Sequence, residues 1–328
     1  MDEHVIGLDV GGTGARGLLA DLNGTPLARA RRDRDSGGDG TGGGGGTGGD
    51  VLVRLVEDLL AAAGVTRAEA VVLGSTGASG LGETPRATLP GLLGAAAGAG
   101  EVLFVSDALI SYIGALGLAG GAVIAAGTGA VAVGSDGRGT WRKVDGWGHL
   151  LGDDGGGAWI GRAGLAAALR HHDGRPDGSP ALLAALNRRF GGPAELIADV
   201  YTRADRATLL ARFVPDVAAA AADGDPVAAA VLDRAGEHLA ETAMAALPPG
   251  APRVVSHAGS LIPGVARVAD AFSRRLAEAG VEAAEPRGAA VDGAVLLAAA
   301  MLGGGLPPGL PESGLILGGW RERVVPGA

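Results

Sequence analysis

The chain contains no cysteine, which excludes disulfides, thiolate zinc sites, iron–sulfur clusters and cysteine nucleophiles together. Aromatic residues are scarce, with Phe 4, Trp 4 and Tyr 2, so alanine, valine and leucine must build the core. Basic residues are in the minority: Lys+Arg 27 against Asp+Glu 36 gives a formal charge of −9, which repels a phosphate backbone. Nucleic acid is therefore not an expected partner. Uncharged apolar runs of about eighteen residues are missing too, and no membrane partner is expected. Met1 leads through Asp2 and Glu3 into Val5 without a basic segment, so the expected compartment is the cytoplasm. Lysine occurs once, at Lys143, beside abundant arginine, alanine, glycine and proline, a bias typical of GC-rich coding.

Glycine is abundant, at 62 of 328 residues, without the strict three-residue period of collagen. A 47% apolar content excludes global disorder, and at about 150 residues per domain the length suits two domains with cores of their own. An apolar run, Val5–Val10, ends in Gly11-Gly12-Thr13-Gly14, and a second, Ala15–Leu22, ends at Asn23-Gly24. This predicts a β-hairpin with a glycine-rich first corner. The same grammar returns at Gly121–Ala126, Gly127-Thr128-Gly129 and Ala130–Gly134, ahead of the turn Ser135-Asp136-Gly137. Two halves built on one plan are implied.

Between the hairpins, Leu52, Leu55, Val56, Leu59 and Leu60 predict a helix over Val51–Ala63 with Asp50 as N-cap. A strand at Ala70–Gly74 precedes a loop from Ser75 to Gly82, and a strand at Val102–Val105 runs through Ser106-Asp107 into a helix beginning near Ala108. Further on, helices are predicted around Ala158–Arg170, Leu182–Phe190, Ala194–Tyr201, Thr208–Ala222 and Pro226–Leu247, then a strand at Arg253–Ser256 and a helix from near Val265. Strands alternating with helices, plus hairpins, give an α/β class with mixed sheets. Ten of the thirteen residues of Gly37–Gly49 are glycine, which predicts a flexible loop rather than a helix, and the tail after Gly303 is predicted irregular.

Several constellations carry chemistry. In Asp9-Val10-Gly11-Gly12-Thr13 the glycines let backbone N–H groups approach a phosphate, Thr13 adds a hydroxyl, and Asp9 can hold Mg²⁺ through water; a tight hairpin explains the same glycines. Gly127-Thr128-Gly129 carries the same two readings. Asp107, between a strand and a helix, is either an N-cap or a carboxylate placed to accept a proton during phosphoryl transfer. The stretch Gly146-Trp147-Gly148-His149-Leu150-Leu151-Gly152-Asp153-Asp154-Gly155 sets a tryptophan, a histidine and two aspartates in a glycine frame. Asp153 can accept sugar hydroxyls and Trp147 offers an apolar face, while the alternative is a turn capping a helix. Trp159 reads as a core anchor. His171-His172, adjacent on a helix end, point to different faces and read as a solvated terminus.

Taken in order, Gly7-Leu8-Asp9-Val10-Gly11-Gly12-Thr13, Ser106-Asp107, Gly127-Thr128-Gly129 and the block from Gly146 to Gly155 resemble the N-acetylglucosamine kinases of the BadF/BadG/BcrA/BcrD group, within the sugar kinase, Hsp70 and actin superfamily. The resemblance implies two ribonuclease-H-like, actin-like ATPase domains with a central cleft. It also implies ATP and Mg²⁺ as cofactors, a small-molecule sugar as substrate and a homodimer. The implied lobes are 1–118 and 119–290, with a helix in 291–328 returning to the first lobe ahead of an irregular tail. Residue by residue, Gly11, Gly12 and Thr13 match the first phosphate motif and Gly127, Thr128 and Gly129 the second. Asp107 matches the catalytic base, and Asp9 the Mg²⁺ contact. Gly146, Trp147 and Asp153 fall in the sugar loop, Ser75 and Thr76 join the sugar contacts, and Gly259 with Ser260 matches the adenosine motif. The implied reaction converts N-acetylglucosamine to its 6-phosphate. Glucosamine and N-acetylmuramic acid are rival acceptors, and a non-catalytic sugar or nucleotide sensor is the rival class. Three departures stand out: Ala130 replaces a serine common in the second phosphate corner and removes a hydroxyl donor, Asp154 and Gly156 replace glutamate and serine, and the glycine tract replaces a loop that usually supplies asparagine to the sugar, which bears on the acceptor more than on the reaction type.

Overall fold

Hairpin punctuation and leucine spacing take the expected forms in a computed structural model, which describes residues 3–11, 14–33, 48–75 and 88–321. Gly12, Thr13, Thr76 and the glycine tract through residue 47 lie outside the described residues. Two units divide the chain: Met1–Gly120 with Ser135–Trp141 and Pro286–Ala328, and Gly121–Gly134 with Arg142–Glu285.

In the first unit β1 (His4–Gly11), β2 (Gly14–Asp21) and β3 (Pro26–Asp33) form an antiparallel meander. The turn between β2 and β3 is fixed by the Asp21 carboxylate, which accepts the N–H groups of Asn23 and Thr25 at 2.9 and 2.8 Å. Helix α1 (Gly48–Ala63) buries its leucine face beside Leu8 and Leu19 of the sheet. After it come β4 (Ala70–Ser75), α2 (Leu89–Ala97), β5 (Glu101–Ser106) and α3 (Asp107–Leu116). Strands β1, β4 and β5 run parallel, giving the order β3-β2-β1-β4-β5.

The second unit repeats that plan. Its meander is β6 (Gly121–Ala126), β7 (Ala130–Ser135) and β8 (Trp141–Asp145), followed by α4 (Gly157–His172), α5 (Pro180–Phe190), α6 (Pro193–Thr202), α7 (Arg206–Ala211), α8 (Val214–Ala222) and α9 (Pro226–Ala245). Then β9 (Val254–Ala258), the single turn α10 (Leu261–Gly264), α11 (Ala266–Glu278) and β10 (Glu282–Ala283) complete the sheet in the order β8-β7-β6-β9-β10. Its core gathers Ile124, Phe213, Leu232, Leu239 and Phe272. The chain returns to the first unit as α12 (Ala290–Gly303) and β11 (Ile316–Arg321). Helix α12 lies so close on β1 that a Cβ on Gly7 would stand 2.7 Å from the Val291 carbonyl. Among the described residues no helix is long and apolar enough to cross a membrane.

Five sequence expectations are corrected. The tail after Gly303 is not wholly irregular, because β11 pairs antiparallel with β5. Asp50 sits inside the first turn of α1 rather than capping it, and the last two glycines of the tract, Gly48 and Gly49, are helical. The single helix expected over Thr208–Ala222 is two, α7 and α8, because Pro215 cannot donate into a continuous helix and would clash with the preceding turn. Asp107 is not the N-cap of α3; Ser106 is, with its hydroxyl accepting from Ala108 N.

Candidate active site

In the first unit, three parallel strands deliver their carboxyl ends to one edge. The register aligns Val10 with Ser75 and Ser75 with Ser106, so Asp9 lies one residue before this level on β1, Ser75 lies at it on β4, and Asp107 follows it at the start of α3. That edge is where open α/β sheets place their ligands. Asp107 opens α3, in the helix's first turn, and its Oδ1 accepts Ala108 N at 2.9 Å. Ser106 Oγ, the N-cap, accepts the same N–H at 3.3 Å, so the two side chains share it. Ser75 is fully buried.

Asp9 is largely enclosed, and burial raises its carboxyl above the usual carboxylate range, while the Arg16 guanidinium 4.0 Å away offsets this in part. A small cavity of about 60 Å³ is lined by Asp9, Gly11, Gly14, Arg16 and Arg31. A Cβ added to Gly11 would meet nothing within 4 Å among the described residues. A hard carboxylate oxygen in such a place fits Mg²⁺, which binds through one or two carboxylates and keeps several waters. Among the described residues no group of three or more His, Asp or Glu side chains could form a complete protein cage.

In the second unit the corner after β6 and the loop after β8 are built as one piece. Gly127 N donates to the Gly129 carbonyl at 3.0 Å and closes the turn. Gly157 N donates to Gly127 O, Ala158 N to Thr128 O, both at 2.8 Å, and Gly146 N to Ala130 O at 3.1 Å. Four successive carbonyls of the corner are thus engaged from within the unit. Asp153 takes a left-handed backbone, φ 58°, which aspartate tolerates better than most residues. Its Oδ1 accepts Gly148 N at 3.1 Å, and the backbone of Ala130 donates to it as well. Its Oδ2 rests on Gly129, where a Cβ would stand 2.2 Å from it. Burial raises the Asp153 carboxyl above its ordinary range, the Gly148 N–H counteracts this, and the nearby Asp145 carboxylate adds to the rise.

Trp147 is 74% exposed, with Leu150 and Leu151 exposed beside it, so the loop offers apolar surface to a ligand. Trp159 instead packs on the core and meets His238 edge-on at 5.2 Å between ring centroids. Strands β6 and β9 end side by side, Ala125 opposite Ala258, and a Cβ on Gly259 would strike the Ala126 carbonyl at 2.2 Å. Gly259 and Ser260 therefore lie next to the Gly127 corner. The second unit brings together Gly127, Thr128, Gly129, Gly146, Asp153, Gly259 and Ser260; the first brings together Asp9, Gly11, Ser75 and Asp107. His171 and His172 lie in the last turn of α4. Sequence reasoning passed over Asp145, although the Asp145-Gly146 dipeptide is a turn signal, and Arg16, which faces Asp9 across β2.

The BadF/BadG/BcrA/BcrD ATPase family matches residues 6–298. Over 76 residues the chain is 36% identical to an N-acetylmuramic acid/N-acetylglucosamine kinase of Clostridium acetobutylicum, a match that takes in 23% of this chain and 25% of the relative. The chain thus spans about a quarter of the length of that curated relative. A solved structure from Chromobacterium violaceum, provisionally described as an N-acetylglucosamine kinase, is 27% identical with a TM-score of 0.66, covering 90% of this chain and 98% of that one. A ROK family glucokinase of Streptomyces griseus, solved with glucose and AMPPNP, is 19% identical with a TM-score of 0.56, covering 91% and 98%; this likeness is one of fold.

Proposed function

This chain belongs to the BadF/BadG/BcrA/BcrD ATPase family, and on that premise we propose that it is an ATP-dependent sugar kinase acting on an amino sugar. The observation that carries the reading is the edge of the first unit, where the ends of the parallel strands bring Asp9 and Ser75 beside the start of α3 at Asp107. Asp107 accepts the proton of the attacking hydroxyl as the hydroxyl oxygen bonds to the γ-phosphorus and the bond to the bridging oxygen breaks, releasing ADP. Asp9 would hold Mg²⁺ through water. That ion, when bound, neutralises charge on the β- and γ-phosphates.

The corners supply the phosphate contacts. Gly11, Gly12 and Thr13 serve the phosphates from the first unit, and Thr128 and Gly129 offer N–H groups in the second. Gly127 contributes space more than a donor, since its own N–H closes the turn. Gly259 and Ser260 serve the adenosine. Ser75, Thr76, Gly146, Trp147 and Asp153 serve the acceptor, Trp147 through its exposed apolar face.

N-acetylglucosamine, phosphorylated at its 6-hydroxyl, is the acceptor we propose, a choice supported by the descriptions of the Chromobacterium and Clostridium proteins. The Clostridium protein's description also names N-acetylmuramic acid, which makes that sugar the second reading. A panel of N-acetylglucosamine, N-acetylmuramic acid, glucosamine and glucose with Mg²⁺-ATP, followed by ADP release and product mass, tests both. ADP release that no sugar accelerates would overturn the kinase reading.

A further inference from the structure

The loop between β8 and α4 closes on a side chain that has no place in the roles above. Asp145, the last residue of β8, takes φ 63°, a left-handed conformation that glycine or asparagine would enter more easily. Its Oδ1 accepts Asp153 N at 2.8 Å and its Oδ2 accepts Asp154 N at 3.3 Å. The same carboxylate lies against Gly152, where a Cβ would stand 2.3 Å from Oδ1. The chain therefore leaves Asp145, runs out through Trp147 and Leu151, and returns to wrap three successive residues around the carboxylate it started from. One turn inside, Gly148 O accepts Leu151 N and Gly152 N at 3.1 and 2.9 Å, and Asp153 Oδ1 accepts Gly148 N.

Two carboxylates, Asp145 and Asp153, thus hold opposite sides of one short loop, although like charges at close quarters repel. Nothing in the turn itself demands an acid at 145, because glycine would satisfy the backbone with less strain. An acid contributes two acceptor oxygens aimed at the N–H groups of Asp153 and Asp154, and hydrogen bonds to a charged acceptor are the stronger kind.

We propose that Asp145 is a positioning residue: it fixes the backbone from which the Asp153 carboxylate and the Trp147 ring meet the acceptor sugar. This rests on the kinase reading for its ligand, while the clamp itself does not. Displacing a substrate-positioning group by about 1 Å can lower efficiency by up to about 10²-fold.

Two variants separate positioning from bulk stability. Asp145→Gly relaxes φ and removes both acceptor oxygens; Asp145→Asn tolerates the same φ and keeps one. Amide hydrogen exchange at Asp153 and Asp154 is expected to quicken by more than about tenfold in the glycine variant and much less in the asparagine variant. In steady-state assays with the sugar that wild type turns over, Asp145→Gly should raise acceptor KM roughly 10- to 100-fold and leave ATP KM within about threefold, with Asp145→Asn recovering most of the loss. Unchanged exchange in Asp145→Gly, or an acceptor KM within threefold of wild type, overturns the proposal. An equal rise in both KM values with a lower melting temperature and no recovery in Asp145→Asn also overturns it, since that marks a purely structural residue. A wild-type protein that phosphorylates no sugar defeats the kinase reading alone, and the exchange measurement still decides the clamp.

Discussion

Replacing Gly129 by alanine tests whether the corner after β6 and the loop after β8 are one construction. Gly129 is not in the left-handed region, so alanine meets no backbone penalty and any effect comes from contact. The new Cβ would stand 2.2 Å from Asp153 Oδ2 and 3.0 Å from its Cγ. Ordinary contact begins near 3.4 Å, so the carboxylate must retreat by about 1 Å. That retreat strains the bond from Gly148 N, 3.1 Å long in the native loop. A hydrogen bond to a charged group contributes about 1.5–3 kcal/mol and local overpacking costs about 1–3, so a loss of about 2–4 kcal/mol is expected. For a unit of this size that corresponds to a melting temperature lower by roughly 5–15 °C. The assay is a double-mutant cycle by thermal or denaturant unfolding. In an Asp153→Ala background the obstructing oxygen is gone, and Gly129→Ala should then cost less than about 1 kcal/mol. Equal losses in the two backgrounds, with a coupling under about 0.5 kcal/mol, would refute the reasoning.

Asp107→Asn should lower kcat by about 10²–10⁴ while the melting temperature stays within about 2 °C, because Ser106 caps α3; turnover within a few-fold of wild type would show that Asp107 is no base. Asp9 has a folded-state carboxyl raised by burial, so its ionisation disfavours the fold: stability falls as pH climbs from the unfolded value near 4 through the raised one, and stays lower above it. Asp9→Asn should therefore melt higher than wild type at pH 7 without Mg²⁺, with the gap closing toward pH 4, and a variant that melts lower at pH 7 contradicts this. Gly7→Ala would press a Cβ to 2.7 Å from Val291 O and 2.8 Å from Val295 N, backbone atoms that cannot turn aside, so α12 must shift from β1. A loss of about 3 kcal/mol in urea unfolding is expected, and a loss under about 0.5 would show that α12 rides loosely on the sheet.

The hairpins β1–β2 and β6–β7 were legible because short apolar runs meet glycine corners, and α1 because five leucine and valine side chains recur at helix spacing. Strand β3 was not read. Its Pro26–Asp33 sequence alternates small apolar residues with arginines, and only Ala28 is buried, so composition suggested solvent where register with β2 supplies a strand. Strand β11 has no local signal, since its partner, β5, lies about 210 residues earlier in the chain and pairing alone defines it. Likewise serine and aspartate at 106 and 107 are both good N-caps on paper, and only the extended backbone of Ser106, φ −63° and ψ 138°, decides between them. Asp153 stands out in the sequence as an acid in a glycine frame, but its seat on Gly129 depends on a left-handed backbone that the sequence does not spell out.

The two units share a plan, and in the second the corner after β6 shows how the plan is held. A corner that receives phosphate must keep its carbonyl oxygens turned away from the anion and satisfied elsewhere, since each peptide offers a donor and an acceptor on opposite sides. In the second unit the carbonyls of Gly127, Thr128, Gly129 and Ala130 take N–H groups from Gly157, Ala158, Gly127 and Gly146 in turn. Two of those donors, Gly146 and Gly157, bracket the loop proposed for the acceptor. The loop is therefore a brace for the Gly127 corner, whatever it contacts in addition. Its glycines are then required for close approach: a Cβ on Gly156 would stand 2.8 Å from the Gly129 backbone, and one on Gly157 2.8 Å from the Gly127 carbonyl. The glycine density that first marks this stretch in the sequence follows from packing one backbone on another, and the acids within it hold that backbone in place.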